Sequence, residues 1–152
     1  MKTLARKRDK DELVGRLRAL RPDSVRRWGR MSVHQMICHL ADGFRMGTGE
    51  KAVRRVAGPL KGAMIKWVAL YAPARWPPGF RTTPEIDQER LGTTPTDFAA
   101  DVAQLEALLE LVTTQPRSFE WQAHPLSGRM SEAAWLRWGY LHMDHHLRQF
   151  GA

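Results

Sequence analysis

The stretch Ser131-Glu-Ala-Ala-Trp-Leu-Arg-Trp-Gly-Tyr-Leu-His-Met-Asp-His-His-Leu-Arg-Gln-Phe150 decides how the rest of this 152-residue chain is read. Trp135, Trp138, Gly139, His142, His146 and Gln149 recur at intervals of three and four, which places them on one face of a helix. Ser131 stands at the N-cap position and Gly151 just past the end, where a C-terminal cap belongs. The apolar members of that face direct it into a bundle, and the two histidines go inward with them.

Working back along the chain, Phe98, Val102, Leu105, Leu108, Leu109 and Val112 form a second strong apolar face. It predicts a helix beginning at Thr94-Pro95, with Asp97 in its first turn, and ending near Thr113 before Gln115-Pro116. Ser32 and Gln35 form a capping box that opens another helix. Its stripe is Val33, Met36, Ile37, Leu40 and Phe44, and it fades at Gly47-Thr48-Gly49. Arg8–Leu20, with Leu13, Val14, Leu17 and Leu20 in register, predicts the first helix, which Pro22 ends. Pro59–Tyr71 predicts a shorter cationic helix, with Leu60, Met64, Trp67, Val68 and Tyr71 on one side. The ordinary reading packs that side on the bundle and lets Lys61 and Lys66 snorkel; a lid, a dimer contact or a membrane-surface contact are the sharper ones. The loop Ala72-Pro-Ala-Arg-Trp-Pro-Pro-Gly-Phe80 cannot be a helix interior or a central strand, and loops this long in a small domain tend to cover something. No convincing strand or repeat is present. The pattern is all-α: one domain over 1–152, a four-helix bundle with a short helix and long loop inserted between the second and third main helices.

Composition sets the class. Hydrophobic content of 43% and charged content of 26% are those of a soluble globular protein. The start of the chain has no apolar stretch of the kind a signal peptide needs, and no segment is long enough to span a membrane. One cysteine, Cys38, fits a reducing compartment, so a cytoplasmic location is expected. The net charge of +8 is concentrated in residues 1–30, which hold eleven basic residues against four acids. That asymmetry raises a nucleic-acid reading, but Asp9, Asp11 and Glu12 interleave the cations, and no aromatic residue precedes Trp28. A solvated helix face is the better account.

The chemistry lies in the histidines. Buried imidazoles are hard to desolvate as cations, so an inward pair is held neutral, either in a hydrogen-bonded core pair or on a metal ion. His39, at the edge of the stripe on the second helix, is a third inward imidazole and favours the metal. His34 lies roughly 140° around that helix from His39 and is expected on the surface. Met143 stands where a zincin has its catalytic Glu, so this is not that site. Three histidines without a fourth protein ligand leave a coordination position open. His145, three residues from His142, competes with His146 but is better read as exposed or as a neighbour of the ligands. His124, in the loop before the last helix, is either an acid or base over the metal or a loop-fixing side chain. Gln149 is a candidate catalytic residue, as a hydrogen-bonder near the metal-bound ligand. Asp42 and Asp144 could orient an imidazole, with Asp144 expected toward solvent. Cys38 reads as a small buried hydrophobe.

Trp28-Gly-Arg-Met-Ser-Val-His-Gln-Met-Ile-Cys-His-Leu-Ala-Asp42 resembles the entry to the second helix of the DinB-like, YfiT-like metalloprotein superfamily. His142-Met-Asp-His-His-Leu-Arg-Gln-Phe150 is similar to its final helix, where a histidine pair at this spacing is followed by Gln. His124-Pro-Leu-Ser-Gly resembles the loop of a bacterial branch of it. The resemblance covers most of the chain outside roughly residues 50–90. It implies a four-helix bundle, often a homodimer, with one divalent metal (Zn first, Ni or Fe next) on His39, His142 and His146. It also implies a metal-dependent transferase using a low-molecular-weight thiol, or a hydrolase, acting on a small electrophilic molecule. The competing expectation is a non-catalytic module that binds nucleic acid or another anionic partner through the basic first thirty residues.

Overall fold

The computed structural model describes residues 1–56, 59–72, 75–79 and 82–152, with 59–62 as backbone only. Among these the secondary structure is five α-helices and one 3₁₀ turn, with no strand. The helices are α1 (Lys7–Arg18), α2 (Val33–Thr48), α3 (Pro59–Tyr71), α4 (Phe98–Thr113) and α5 (Glu132–Gln149), and the 3₁₀ turn is Pro84–Ile86. The all-α expectation holds.

Local chemistry fixes the ends. Ser32 caps α2 by accepting from the Gln35 amide at 3.1 Å, while the Gln35 side chain accepts from the Ser32 amide at 2.9 Å. Asp97 proves to be the N-cap of α4 rather than part of its first turn. Its carboxylate accepts from Ala100 N at 2.8 Å, and Thr94-Pro95 lie outside the helix. Ser131 caps α5 through Ala134 N at 3.2 Å.

α2 is the central element. It is covered by α4, α5 and the 3₁₀ turn, so nearly its whole circumference is buried. α1 packs on α4 and α5 and completes a four-helix bundle around Leu13, Leu17, Met36, Leu40, Leu105, Leu109, Met143 and Leu147. Such a core, removed from water at about 25 cal/mol per Å², is the main stabilising term. Close approach of α2 to α5 requires Gly43. A Cβ there would lie 3.0 Å from His142 Cε1 and 3.2 Å from Trp138 Cη2.

α3 departs from expectation. It packs on α5 with Leu70 inward, while Met64, Trp67, Val68 and Tyr71 face outward and are 48–64% exposed. The side predicted to pack is the unpacked one. Arg137 explains the anchoring, since its side chain donates to the Leu70 carbonyl at 3.3 Å and to the Lys2 carbonyl. Leu60 and Phe80 lie outside the described side chains.

Six of the eleven basic residues in the N-terminal region are ion-paired within the fold. Lys2 pairs with Glu12, Lys7 with Asp11, Lys10 with Glu110, Arg16 with Asp144, Arg18 with Glu106 and Arg30 with Glu89. No helix among the described residues is long and apolar enough to cross a membrane.

Candidate metal centre

His39 on α2 and His142 and His146 on α5 converge, each offering a ring nitrogen within 4.8 Å of the others. The closest approach is His39 Nε2 to His142 Nε2, at 3.0 Å. The His39 ring centroid lies 4.8 Å from that of His146, and the His142 and His146 centroids are 4.9 Å apart. Helical spacing of four on α5 and the edge position of His39 on α2 produce this meeting once the two helices pack.

Two of the three rings are oriented from behind. His39 Nδ1 donates to the Ile86 carbonyl at 2.8 Å, leaving Nε2 as a lone pair. His146 Nδ1 donates to Gln149 Oε1 at 2.9 Å, and the Gln149 amide in turn donates to the Trp28 carbonyl at 2.9 Å. Gly29, at φ +78°, makes the turn that presents that carbonyl, and a Cβ there would meet Gln149 Nε2 at 2.5 Å. His142 has no such partner among the described residues; its Nδ1 is buried beside Gly43.

Burial pushes the His39, His142 and His146 pKa values below the usual histidine range, and neighbouring imidazoles push the last two further. All three are therefore held in the neutral form that metals require. Tryptophans close the surroundings. The Trp138 ring lies 4.5 Å from His142, and Trp76, in the loop after α3, lies 6.3 Å from it. The Trp76 indole donates to the Ala69 carbonyl at 2.7 Å, which pins that loop to α3.

The other singled-out residues fall around this cluster. His145 is buried rather than exposed, 4.9 Å from the His146 ring and between Trp28 and Trp76. His124 is buried in a tight turn, where its Nδ1 accepts from Leu126 N at 3.2 Å and Ser127 N at 3.1 Å. Burial lowers its pKa to about 4. Trp138 lies against both the His124 and the His142 rings, at 5.2 and 4.5 Å.

Asp42 does not orient an imidazole directly. It is fully buried and accepts from Thr93 N at 2.8 Å, Thr93 Oγ1 at 2.6 Å and Lys51 Nζ at 2.7 Å. These bonds tie down the segment that carries Ile86. Asp144 pairs with Arg16 at 2.7 Å and Arg148 at 3.0 Å instead of standing free in solvent.

His34 is not a free surface residue. Its Nε2 meets Asp101 Oδ2 at 2.7 Å, and Cys38 Sγ lies 3.6 Å from the same oxygen. This second group also has ligand types within reach of one ion. Burial, with Asp101 adding to it, pushes the Cys38 thiol up to about 12, so without an ion the thiol keeps its proton and lies against the carboxylate. A hydrogen-bonded network that joins α2 to α4 accounts for these residues. Sequence reading missed Ile86 and Trp28 as partners of the ligands because each contributes only a backbone carbonyl.

The chain matches, over residues 4–152, the family described as "Protein of unknown function (DUF1569)", and it belongs to that family. No curated protein and no solved structure matches it.

Proposed function

We propose that this DUF1569 chain is a divalent-metal protein of the DinB-like, YfiT-like kind, with His39, His142 and His146 as its protein ligands. We extend the proposal to a metal-dependent enzyme acting on a small electrophilic molecule. The convergence of three neutral imidazoles from two helices carries the reading.

The donor set passes a test of fit. Two nitrogens bound to one tetrahedral ion at about 2.0–2.1 Å stand roughly 3.3 Å apart. His39 and His142 already approach to 3.0 Å without having to move far. The His39 and His146 outer nitrogens are committed to acceptors, the arrangement that fixes tautomer and ring orientation in histidine sites. All-nitrogen donors suit Zn first, with Ni or Fe next. Among the described residues no carboxylate belongs to the group, so a position is left for an exogenous ligand, for which we propose water or a low-molecular-weight thiol as cosubstrate.

What a divalent ion supplies in such a site is Lewis acidity, and with it a nucleophilic hydroxide or thiolate near neutral pH. The chain's own residues do the rest. Ile86 and Gln149 aim the imidazoles, Trp138 and Trp76 exclude water from around them, and burial keeps the rings unprotonated. Gln149 is a positioning residue in this scheme, acting through His146. His124 has only its Nε2 free for proton transfer, since its Nδ1 is committed to the turn.

Metal analysis of protein purified without a His-tag tests the core. Stoichiometric metal in wild type, lost from His142→Ala and His146→Ala, is the expected result. A metal-free wild type, or full retention in both variants, overturns it.

A further inference from the structure

We propose that the outward face of α3 is a docking surface for an anionic lipid bilayer. Met64, Trp67, Val68 and Tyr71 lie along one side of the helix, with Trp67 and Val68 each three or four residues from Met64 and Tyr71, and are 64, 64, 52 and 48% exposed, while Leu70 on the opposite side is buried in the bundle. A helix apolar on both sides calls for an apolar neighbour on each, and the bundle covers only one. Trp and Tyr are the side chains that favour the boundary between headgroups and acyl chains.

Charge selects the occupant. Between Lys51 and Thr83 the sequence holds seven basic residues and no acid. Six of the eleven basic residues in 1–30 pair with carboxylates, and acids interleave them in sequence, whereas this second segment has no acid of its own. Lys51 is committed to Asp42, and Arg54 reaches Glu85 at 3.8 Å. Neither Lys66 nor Arg75 is ion-paired among the described residues. A cleft of about 180 Å³ opens at the C-terminal end of the same helix, with Arg75, Arg137 and Arg148 facing the single acid Asp144. Asp144 is already paired with Arg16 and Arg148, so the cleft is cationic and suits a headgroup phosphate.

A second copy of the chain fits poorly. Pairing through α3 would bring two acid-free basic segments together, and like charges across an interface oppose association. Four side chains of one short helix also fall short of the roughly 800 Å² per partner that a stable dimer buries. A helix lying in the bilayer plane needs only its apolar face immersed, with basic residues drawn to anionic headgroups.

Co-sedimentation of the full-length protein with phosphatidylglycerol–phosphatidylcholine vesicles, and with phosphatidylcholine alone, tests this. Binding to the anionic vesicles that weakens with salt is expected, with little binding to the neutral ones. Trp67→Ser should weaken binding at least roughly tenfold, and Lys66→Glu by roughly thirtyfold, with helicity by circular dichroism unchanged. Lys66→Glu keeps the test decisive if Trp67→Ser does not fold. Absence of binding to anionic vesicles, or binding that neither substitution weakens, overturns the proposal. So does a dimer in analytical ultracentrifugation that Trp67→Ser dissolves while vesicle binding is absent, which would assign the face to a second copy.

Discussion

The Nε2 atoms of His39 and His142 lie 3.0 Å apart, although 103 residues separate them in the chain. His39 has already given its Nδ1 hydrogen to the Ile86 carbonyl, so its Nε2 faces His142 as a lone pair. Between two such nitrogens the low-energy occupant is a hydrogen or a cation. This contact joins the bundle's geometry to its chemistry, and it sets what each of the following changes should do.

Gln149 holds the outer nitrogen of His146 and is itself held by Trp28. Gln149→Leu keeps the volume and removes both bonds. Metal affinity should fall about 10–100-fold, the usual effect of losing a ligand's orienting partner. Competition with a chelating dye measures it, and an unchanged affinity would show that the amide is only packing.

Gly43 is the close point between α2 and α5. Ala in place of Gly within a helix ordinarily stabilises by roughly 0.5–1 kcal/mol. Here the added Cβ would press on His142 and Trp138 at 3.0–3.2 Å, so Gly43→Ala should lose stability and loosen metal binding. Urea denaturation and metal titration of the same variant check both effects.

Asp42 is unexposed and carries the bonds that anchor Thr93 and Lys51. Asp42→Ala leaves those donors without their acceptor and should cost about 2–4 kcal/mol. Because the anchored segment presents Ile86 to His39, metal affinity should fall as well. Stability lost with metal affinity intact would show that the Ile86 carbonyl holds its place independently.

Acid should destabilise the fold through His124. Its folded-state pKa, lowered by burial to about 4, lies below the unfolded value of about 6.5. Between those values the unfolded chain binds the extra proton, so the stability is fully present above about pH 6.5 and is lost as pH falls toward 4. Roughly 3 kcal/mol should go by pH 4 from this residue alone. His124→Asn, measured by thermal melts across that range, should flatten the acid limb. An unchanged limb would assign the loss to the other buried imidazoles.

The sequence by itself determined the helices and, for α1, α2, α4 and α5, their inward faces. The Ser32–Gln35 capping box, the α4 stripe and the α5 face are local patterns, set by side-chain periodicity and by orphan backbone groups near in sequence. The same periodicity placed His39, His142 and His146 inward, where they meet. Tertiary structure alone decided the remainder, because it rests on groups without a side-chain signature or on competition between faces. The Ile86 and Trp28 carbonyls orient two imidazoles, yet any residue type presents a carbonyl. Asp42, one turn from His39, was drawn to Lys51 and Thr93 because a buried carboxylate takes the nearest cation and N–H donors. His145 became buried because tryptophans from two loops closed over it. On α3 both faces are apolar, and periodicity cannot rank them. The anchoring of Leu70 by Arg137 chose the inner one and left Trp67 outside.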